Sequence, residues 1–201
     1  MKSILVITFI LVSLVARGQS DEKGVERASS KTPIIEKNST QPSKMPLAFR
    51  RTTLIVRDIE KSLALYRDIM GMEVIYDTNL TRPHPKEDRD QIVRLVFLKA
   101  IHNFYGVLGL MEYDYGNSNK TTKPIRKEGF TEQNVVLLFN SNNQKAQFEK
   151  IKNLKGIDVI KEPTLTEYPS YDGKSKTRVM VAIFYDPDGF LVEFNQLLDD
   201  L

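Results

Sequence analysis

The chain has 201 residues with 29 basic and 26 acidic side chains, two histidines and no cysteine. Disulfides, thiolate nucleophiles and cysteine-bound metals are therefore excluded, and imidazole chemistry is confined to His84 and His102. Near-balanced charge without a long block of one sign argues against a nucleic-acid backbone or an anionic membrane surface as partner.

Lys2 precedes an apolar run over residues 4–15, and Ala16-Arg17-Gly18 places small residues before Gln19. That run is too short for a bilayer span and has the form of a secretory core, so residues 1–18 are expected to be an export signal. Loss of Lys2 and Arg17 with it would lower the net charge from +3 to +1. The expected product is periplasmic or secreted, with no stable membrane anchor. Residues 19–45 are polar and rich in Ser, Lys, Glu, Thr and Pro, and are expected to form a disordered tether. Residues 46–201 suffice for one domain with its own core.

Module one is expected over 47–113. It begins with a strand at 51–56, after which Asp58 caps a helix whose inner stripe is Ile59, Leu63, Tyr66 and Met70. Gly71 closes that helix. Strands are expected at 73–77, 92–99 and 107–113, with a polar loop at 78–90. The link at 114–129 is long, polar and basic near Arg126-Lys127. Module two, 130–198, repeats the order. A strand at 134–139 leads to a helix capped by Asn142 or Asn143 and carrying Ala146, Phe148, Ile151 and Leu154. Gly156 follows, then strands at 157–161, 178–185 and 191–197. The run 178–185 is apolar on both faces and should be the most buried strand. Asp186-Pro187-Asp188-Gly189 supplies a tight turn. Gly71-Met72-Glu73-Val74-Ile75 recurs 85 positions later as Gly156-Ile157-Asp158-Val159-Ile160, each time after a helix and before a strand. Both halves read βαβββ, one supersecondary unit stated twice.

The fragments Val56-Arg57-Asp58-Ile59, Ser62, Tyr66-Arg67-Asp68, Gly71-Met72 and Asp186-Pro187-Asp188-Gly189-Phe190-Leu191-Val192-Glu193, in this order on a duplicated unit, resemble the vicinal oxygen chelate superfamily. That group includes glyoxalase I, bleomycin- and fosfomycin-resistance proteins and extradiol dioxygenases. The resemblance implies an α+β fold in which two βαβββ modules form an open cup-shaped mixed sheet with helices outside. It also implies four metal ligands from the first and last strands of both modules, and it allows a homodimer in which modules of two chains pair.

Aligning the closing turns puts Gly106 on Gly189, an offset of 83, which pairs Leu110 with Glu193 and Arg51 with Asn134. Of these four positions only Glu193 carries a good ligand, since arginine keeps its proton, leucine has no donor atom and asparagine is a modest one. No cofactor is expected, with Glu193 the weak candidate for a divalent metal; Glu112 and Asn134 could join it around a hard cation. His84 and His102 read as loop histidines.

Alternation assigns Arg51, Thr53, Ile55, Leu108, Leu110, Glu112, Asn134, Val136, Leu138, Leu191, Glu193 and Asn195 to the cup. The resulting ligand-binding set is Arg51, Thr53, Leu110, Glu112, Asn134, Glu193 and Asn195, and the catalytic candidates are Glu193 and Glu112. Arg51 could supply the charge that a metal would bring, with Glu193 as its partner, or the two could form a closed ion pair. Segments 114–129 and 167–174 are candidate lids, though ordinary connections fit both. Three functional readings stay open. One is metal-dependent chemistry, as a lyase or isomerase of the glyoxalase I type with Glu193 or Glu112 as base, or as a dioxygenase. Another is metal-free catalysis by Glu193 and Arg51. The preferred one is a bleomycin-resistance-like protein that binds a small polar or anionic molecule. Asn38, Asn79 and Asn119 occupy glycosylation sequons.

Overall fold

A computed structural model describes residues 47–103, 106–170 and 173–199. The expected signal at 1–18, the tether at 19–45, Asn38, and Tyr171 and Asp172 of one candidate lid lie outside the described residues. Chain order is β1 (Arg51–Ile55), α1 (Ile59–Leu63, continued by π-helical turns over Ala64–Ile69), β2 (Glu73–Pro83), β3 (Asp90–Lys99) and β4 (Val107–Tyr113). Then come β5 (Val136–Asn140), α2 (Gln144–Ile151), β6 (Asp158–Pro169), β7 (Lys176–Tyr185) and β8 (Leu191–Leu197). They form two four-stranded sheets, β1-β4-β3-β2 and β5-β8-β7-β6. In both, the first and last strands run parallel and the other pairs antiparallel.

Asp58 starts α1 by accepting from the backbone N–H of Glu60 at 3.2 Å and of Lys61 at 3.4 Å. Gly71 ends it at φ +83°, and Gly156 stands at φ +98° in the second module. Ile59, Leu63 and Tyr66 are buried as the spacing predicts, but Leu65 is buried too. The reason is the wider turn: Met70 N donates to Leu65 O, five residues back, at 2.9 Å. Both Leu65 and Tyr66 then point inward.

In α2, Phe148 and Ile151 are buried, whereas Ala146 is exposed and Gln144 takes an inner position. Gln144 Nε2 donates to Met180 O at 2.9 Å and to Phe194 O at 2.6 Å. Gln147 Nε2 reaches Ile69 O at 3.1 Å and Met70 O at 3.2 Å, serving the open carbonyls at the end of α1. An apolar stripe cannot reveal such positions, because their partners are backbone carbonyls of other elements. Gln144→Leu is expected to destabilise the fold by about 1–3 kcal/mol in urea denaturation, the cost of stranding buried acceptors.

Strand β7 is largely buried, with Val179, Val181, Ala182, Phe184 and Tyr185 inside, but β4 is buried at a larger share of its positions. The expected polar loop at 78–90 is largely strand: β2 runs to Pro83 and pairs there with Asp90. Strand β6 likewise extends to Pro169, with Glu167 opposite Arg178 and Tyr168 opposite Thr177. The ladder is made by backbone groups and continues past the last apolar side chain. Residues 167–169 of the candidate lid at 167–174 are therefore strand.

The helix faces of both sheets share one hydrophobic core, in which the Tyr66 and Phe139 rings lie 5.9 Å apart. The Asp186–Gly189 turn also joins the modules. Asp186 Oδ1 accepts from the N–H of Asp188 and of Phe190, each at 2.9 Å, and Oδ2 accepts from the Tyr66 hydroxyl at 2.8 Å. Asp188 Oδ1 accepts from Arg57 N at 3.0 Å and Nε at 2.8 Å. Arg57 Nη2 donates to Pro187 O at 2.7 Å. Burial pushes the Asp186 carboxyl up to about 6 and, with Asp186 alongside, raises the Tyr66 phenol well above its ordinary value. Among the described residues no helix is long and apolar enough to cross a membrane.

Candidate functional site

Strand register decides which side chains share a face. In the first sheet Arg51 stands opposite Val107, Thr53 opposite Gly109, and Ile55 opposite Met111. Leu54 stands opposite Leu110. Leu108, Leu110 and Glu112 therefore lie with Leu54 on the helix side, and the expectation that they face the cup is corrected. Leu110 is fully buried in the core. Glu112 is buried as well: Oε2 accepts from Ile59 N, the first helical N–H, at 2.7 Å, and Oε1 is paired with Lys120. This carboxylate caps α1 and does not face the Arg51 side as a ligand contact or base.

The error has a simple origin. The closing strands superpose with an offset of 84, Gly109 on Glu193, and the opening strands with 85, Arg51 on Val136. The turn glycines give 83. A slip of one residue transfers every side chain of a strand to the other face.

Module two follows the expected alternation. Leu138 stands opposite Glu193 and Asn140 opposite Asn195, so Glu193 and Asn195 share a face with Leu138. Glu193 Oε1 accepts from Asn195 Nδ2 at 2.7 Å. Asn195 Oδ1 is the one buried side-chain polar atom without a partner among the described residues. Asn134 precedes β5 and closes the end of the link, its Nδ2 donating to Gly129 O at 2.6 Å and its Oδ1 accepting from Val135 N at 2.9 Å.

Arg51 is not paired with Glu193, which corrects that expectation. Its Nε donates to Thr53 Oγ1 at 3.1 Å and its guanidinium lies 3.8 Å from the centre of the Phe97 ring. Tyr76 stacks on the same ring, centroids 4.9 Å apart. The arginine can lie flat because position 109 is glycine: an added Cβ would sit 2.7 Å from Thr53 Oγ1 and 3.1 Å from Arg51 Cδ. Burial, then the neighbouring Arg50 charge, lowers the Arg51 guanidinium below its ordinary value. No carboxylate is within ion-pair reach of Arg51 among the described residues. Phe97 and Gly109 were missing from the predicted site. The glycine did leave a signal, since a lone glycine inside a strand marks close approach.

The family's metal arrangement does not fit these residues. At the superposed positions Arg51 is stacked on Phe97, Gly109 and Val136 have no donor side chain, and only Glu193 offers one; Leu110 is in the core and Asn134 is held by the link. Glu112 faces α1, away from the Arg51 face. No group of three or more His, Asp or Glu side chains suited to a metal occurs among the described residues. His84 is more enclosed than a loop histidine should be, its Nδ1 3.7 Å from Glu87 and accepting from Lys86 N at 3.4 Å. His102 is exposed.

Residues 48–194 match the family model described as Glyoxalase/Bleomycin resistance protein/Dioxygenase superfamily. A glyoxalase family protein from Bacillus cereus superposes with a TM-score of 0.57 at 10% identity, covering 79% of this chain and 99% of that one. Glyoxalase I of Leishmania major, which is trypanothione-dependent, gives 0.46 at 18% identity over 75% of this chain and 86% of its own. A fosfomycin resistance protein variant from Listeria monocytogenes, complexed with Mn(II) and 1S,2S-dihydroxypropylphosphonic acid, gives 0.41 at 20% identity over 76% and 93%. A search of curated proteins found no match. With the duplicated βαβββ sheets and a family match spanning most of both, this chain belongs to the Glyoxalase/Bleomycin resistance protein/Dioxygenase superfamily.

Proposed function

We propose that this protein binds a small organic anion on the face of the first sheet that carries Arg51, and that it does so without a metal held by four side chains. One observation carries the reading. Arg51 is pre-positioned on Phe97 and by Thr53, yet no carboxylate of its own chain among the described residues neutralises it. A guanidinium fork held in this way suits a carboxylate, phosphate or phosphonate. Family membership does not select a reaction, because one fold hosts many chemistries. Export through residues 1–18 belongs to the same reading, and N-terminal sequencing of the protein recovered outside the cytoplasm should start at Gln19.

Titration calorimetry with a panel of small 2-hydroxy acids and alkylphosphonates tests the site. At least one compound is expected to bind, with Arg51→Leu weakening it tenfold or more, about 1.4 kcal/mol or beyond. Equal binding by the variant would defeat the assignment. Stoichiometric divalent metal together with turnover of the methylglyoxal–glutathione hemithioacetal would instead establish the metal-dependent lyase reading.

A second copy of this chain is the proposed partner. Tyr76 at 43% exposure, Val136 at 36% and Leu138 at 62% lie on the strand faces that also carry Arg51 and Glu193. Monomers seldom leave such faces uncovered. Sedimentation velocity at micromolar concentration is expected to show a dimer that Leu138→Lys weakens; a monomer at every concentration would sink the proposal.

A further inference from the structure

A cleft of about 1000 Å³ lies between the tip of the β2–β3 hairpin, the link at 114–134 and the Asp186–Gly189 turn. Its walls are fastened by specific contacts. Arg89 at the hairpin tip forks onto Asp114 at the start of the link, Nη1 to Oδ1 at 2.8 Å and Nη2 to Oδ2 at 2.7 Å, and its Nε donates to Glu87 at 2.6 Å. Asp114 sits at φ +53°, a left-handed conformation that aspartate tolerates, and Asn117 Nδ2 donates to its Oδ2 at 2.7 Å. Lys120 is anchored on buried Glu112. A space bounded in this way is a built site.

Its charge pattern has a direction. The arginines around it are matched: Arg57 by Asp188, Arg89 by Glu87 and Asp114, Arg126 by Glu128. Lys86 and Lys123 line the same cleft and have no carboxylate partner among the described residues. The rest of the lining is mostly polar, with Ile55, Tyr113 and Phe190 among its apolar and aromatic members. Paired charges hold the walls, two lysines remain for a ligand's anionic group, and the apolar side chains remain for its body. The volume falls at the upper end of that of drug-sized ligand sites.

We propose that this cleft binds an organic anion with an aromatic or apolar body, at a site separate from Arg51. Arg51 and Ile55 are the two ends of β1, roughly 13 Å apart along an extended strand. A ligand at Lys86 and Lys123 therefore needs nothing from the Phe97-stacked guanidinium.

The test uses 8-anilinonaphthalene-1-sulfonate as the aromatic anion and Nile red as its neutral counterpart, titrated into the purified protein by fluorescence. One molecule of the sulfonate is expected to bind per chain. Lys86→Glu combined with Lys123→Glu should weaken it tenfold or more, and the milder Lys86→Gln with Lys123→Gln severalfold. Arg51→Leu should leave it unchanged, which separates this site from the anion site proposed above. Wild-type affinity in both lysine pairs would overturn the assignment. So would loss of the sulfonate in Arg51→Leu, or equal loss of Nile red in the lysine variants, since charge recognition at this cleft would then be absent.

Discussion

Asp186→Ala should lower stability by about 4 kcal/mol in urea unfolding, because it removes one member of a buried polar network and leaves the others without partners. The Tyr66 hydroxyl and the N–H groups of Asp188 and Phe190 all donate to this carboxylate. Tyr66 belongs to α1 of the first module and Asp186 to the closing turn of the second, so the loss falls on the joint between modules. Asp186→Asn keeps an acceptor oxygen and isolates the charge. In the fold the Asp186 carboxyl is raised to about 6 from 3.8. Between these values the folded state holds a proton that the unfolded chain has released. The contribution of this group is thus complete below about pH 4 and is lost as pH rises through 6. The wild type's margin over Asp186→Asn should therefore shrink by about 2 kcal/mol from pH 4 to pH 7. A constant or widening margin would contradict the assignment. Asp114, held well below the usual carboxylate range by the Arg89 fork, acts in the opposite sense, favouring the fold above its unfolded value.

Gly189→Ala should cost about 2–4 kcal/mol, the left-handed backbone accounting for roughly 1–2 and displacement of the link for the rest. Gly189 stands at φ +90°, and an added Cβ would lie 2.2 Å from Arg126 O and 2.6 Å from Ile125 Cγ2. Backbone cannot yield as a flexible side chain can, so the link has to move. Gly156→Ala provides the control. Its φ is also left-handed, +98°, but the nearest neighbour, Pro187 Cα, is 3.4 Å away. The second variant should show backbone strain alone. Limited trypsinolysis separates them further: cleavage after Lys120, Arg126 or Lys127 should accelerate in Gly189→Ala and not in Gly156→Ala. Equal protection would mean that the turn does not hold the link.

Local signals were readable where local physics suffices. Asp58 was legible as a cap and Gly71 as a helix stop, because each serves backbone groups within a few residues of itself. β4 and β8 match the expected strands to the residue, since apolar runs between turns define them. Gln144 and Gln147 were illegible because their acceptors belong to strands and a helix far along the chain. The π-helical turns were equally hidden, as a stripe at ordinary helical spacing cannot show that Leu65 and Tyr66 are both inside.

The amino-acid order by itself determined two copies of a βαβββ unit, the Asp58 cap and Gly71 stop of the first helix, and the family to which they belong. The Asn143 side chain, by contrast, makes no cap hydrogen bond to α2. Tertiary structure alone decided that Leu110 and Glu112 turn toward α1, that Gly109 stands where Glu193 stands in the second module, and that Arg51 lies on Phe97. Hydrogen bonds between distant strands set their register, and a difference of one residue in that register, invisible to any local pattern, exchanges the two faces of a sheet.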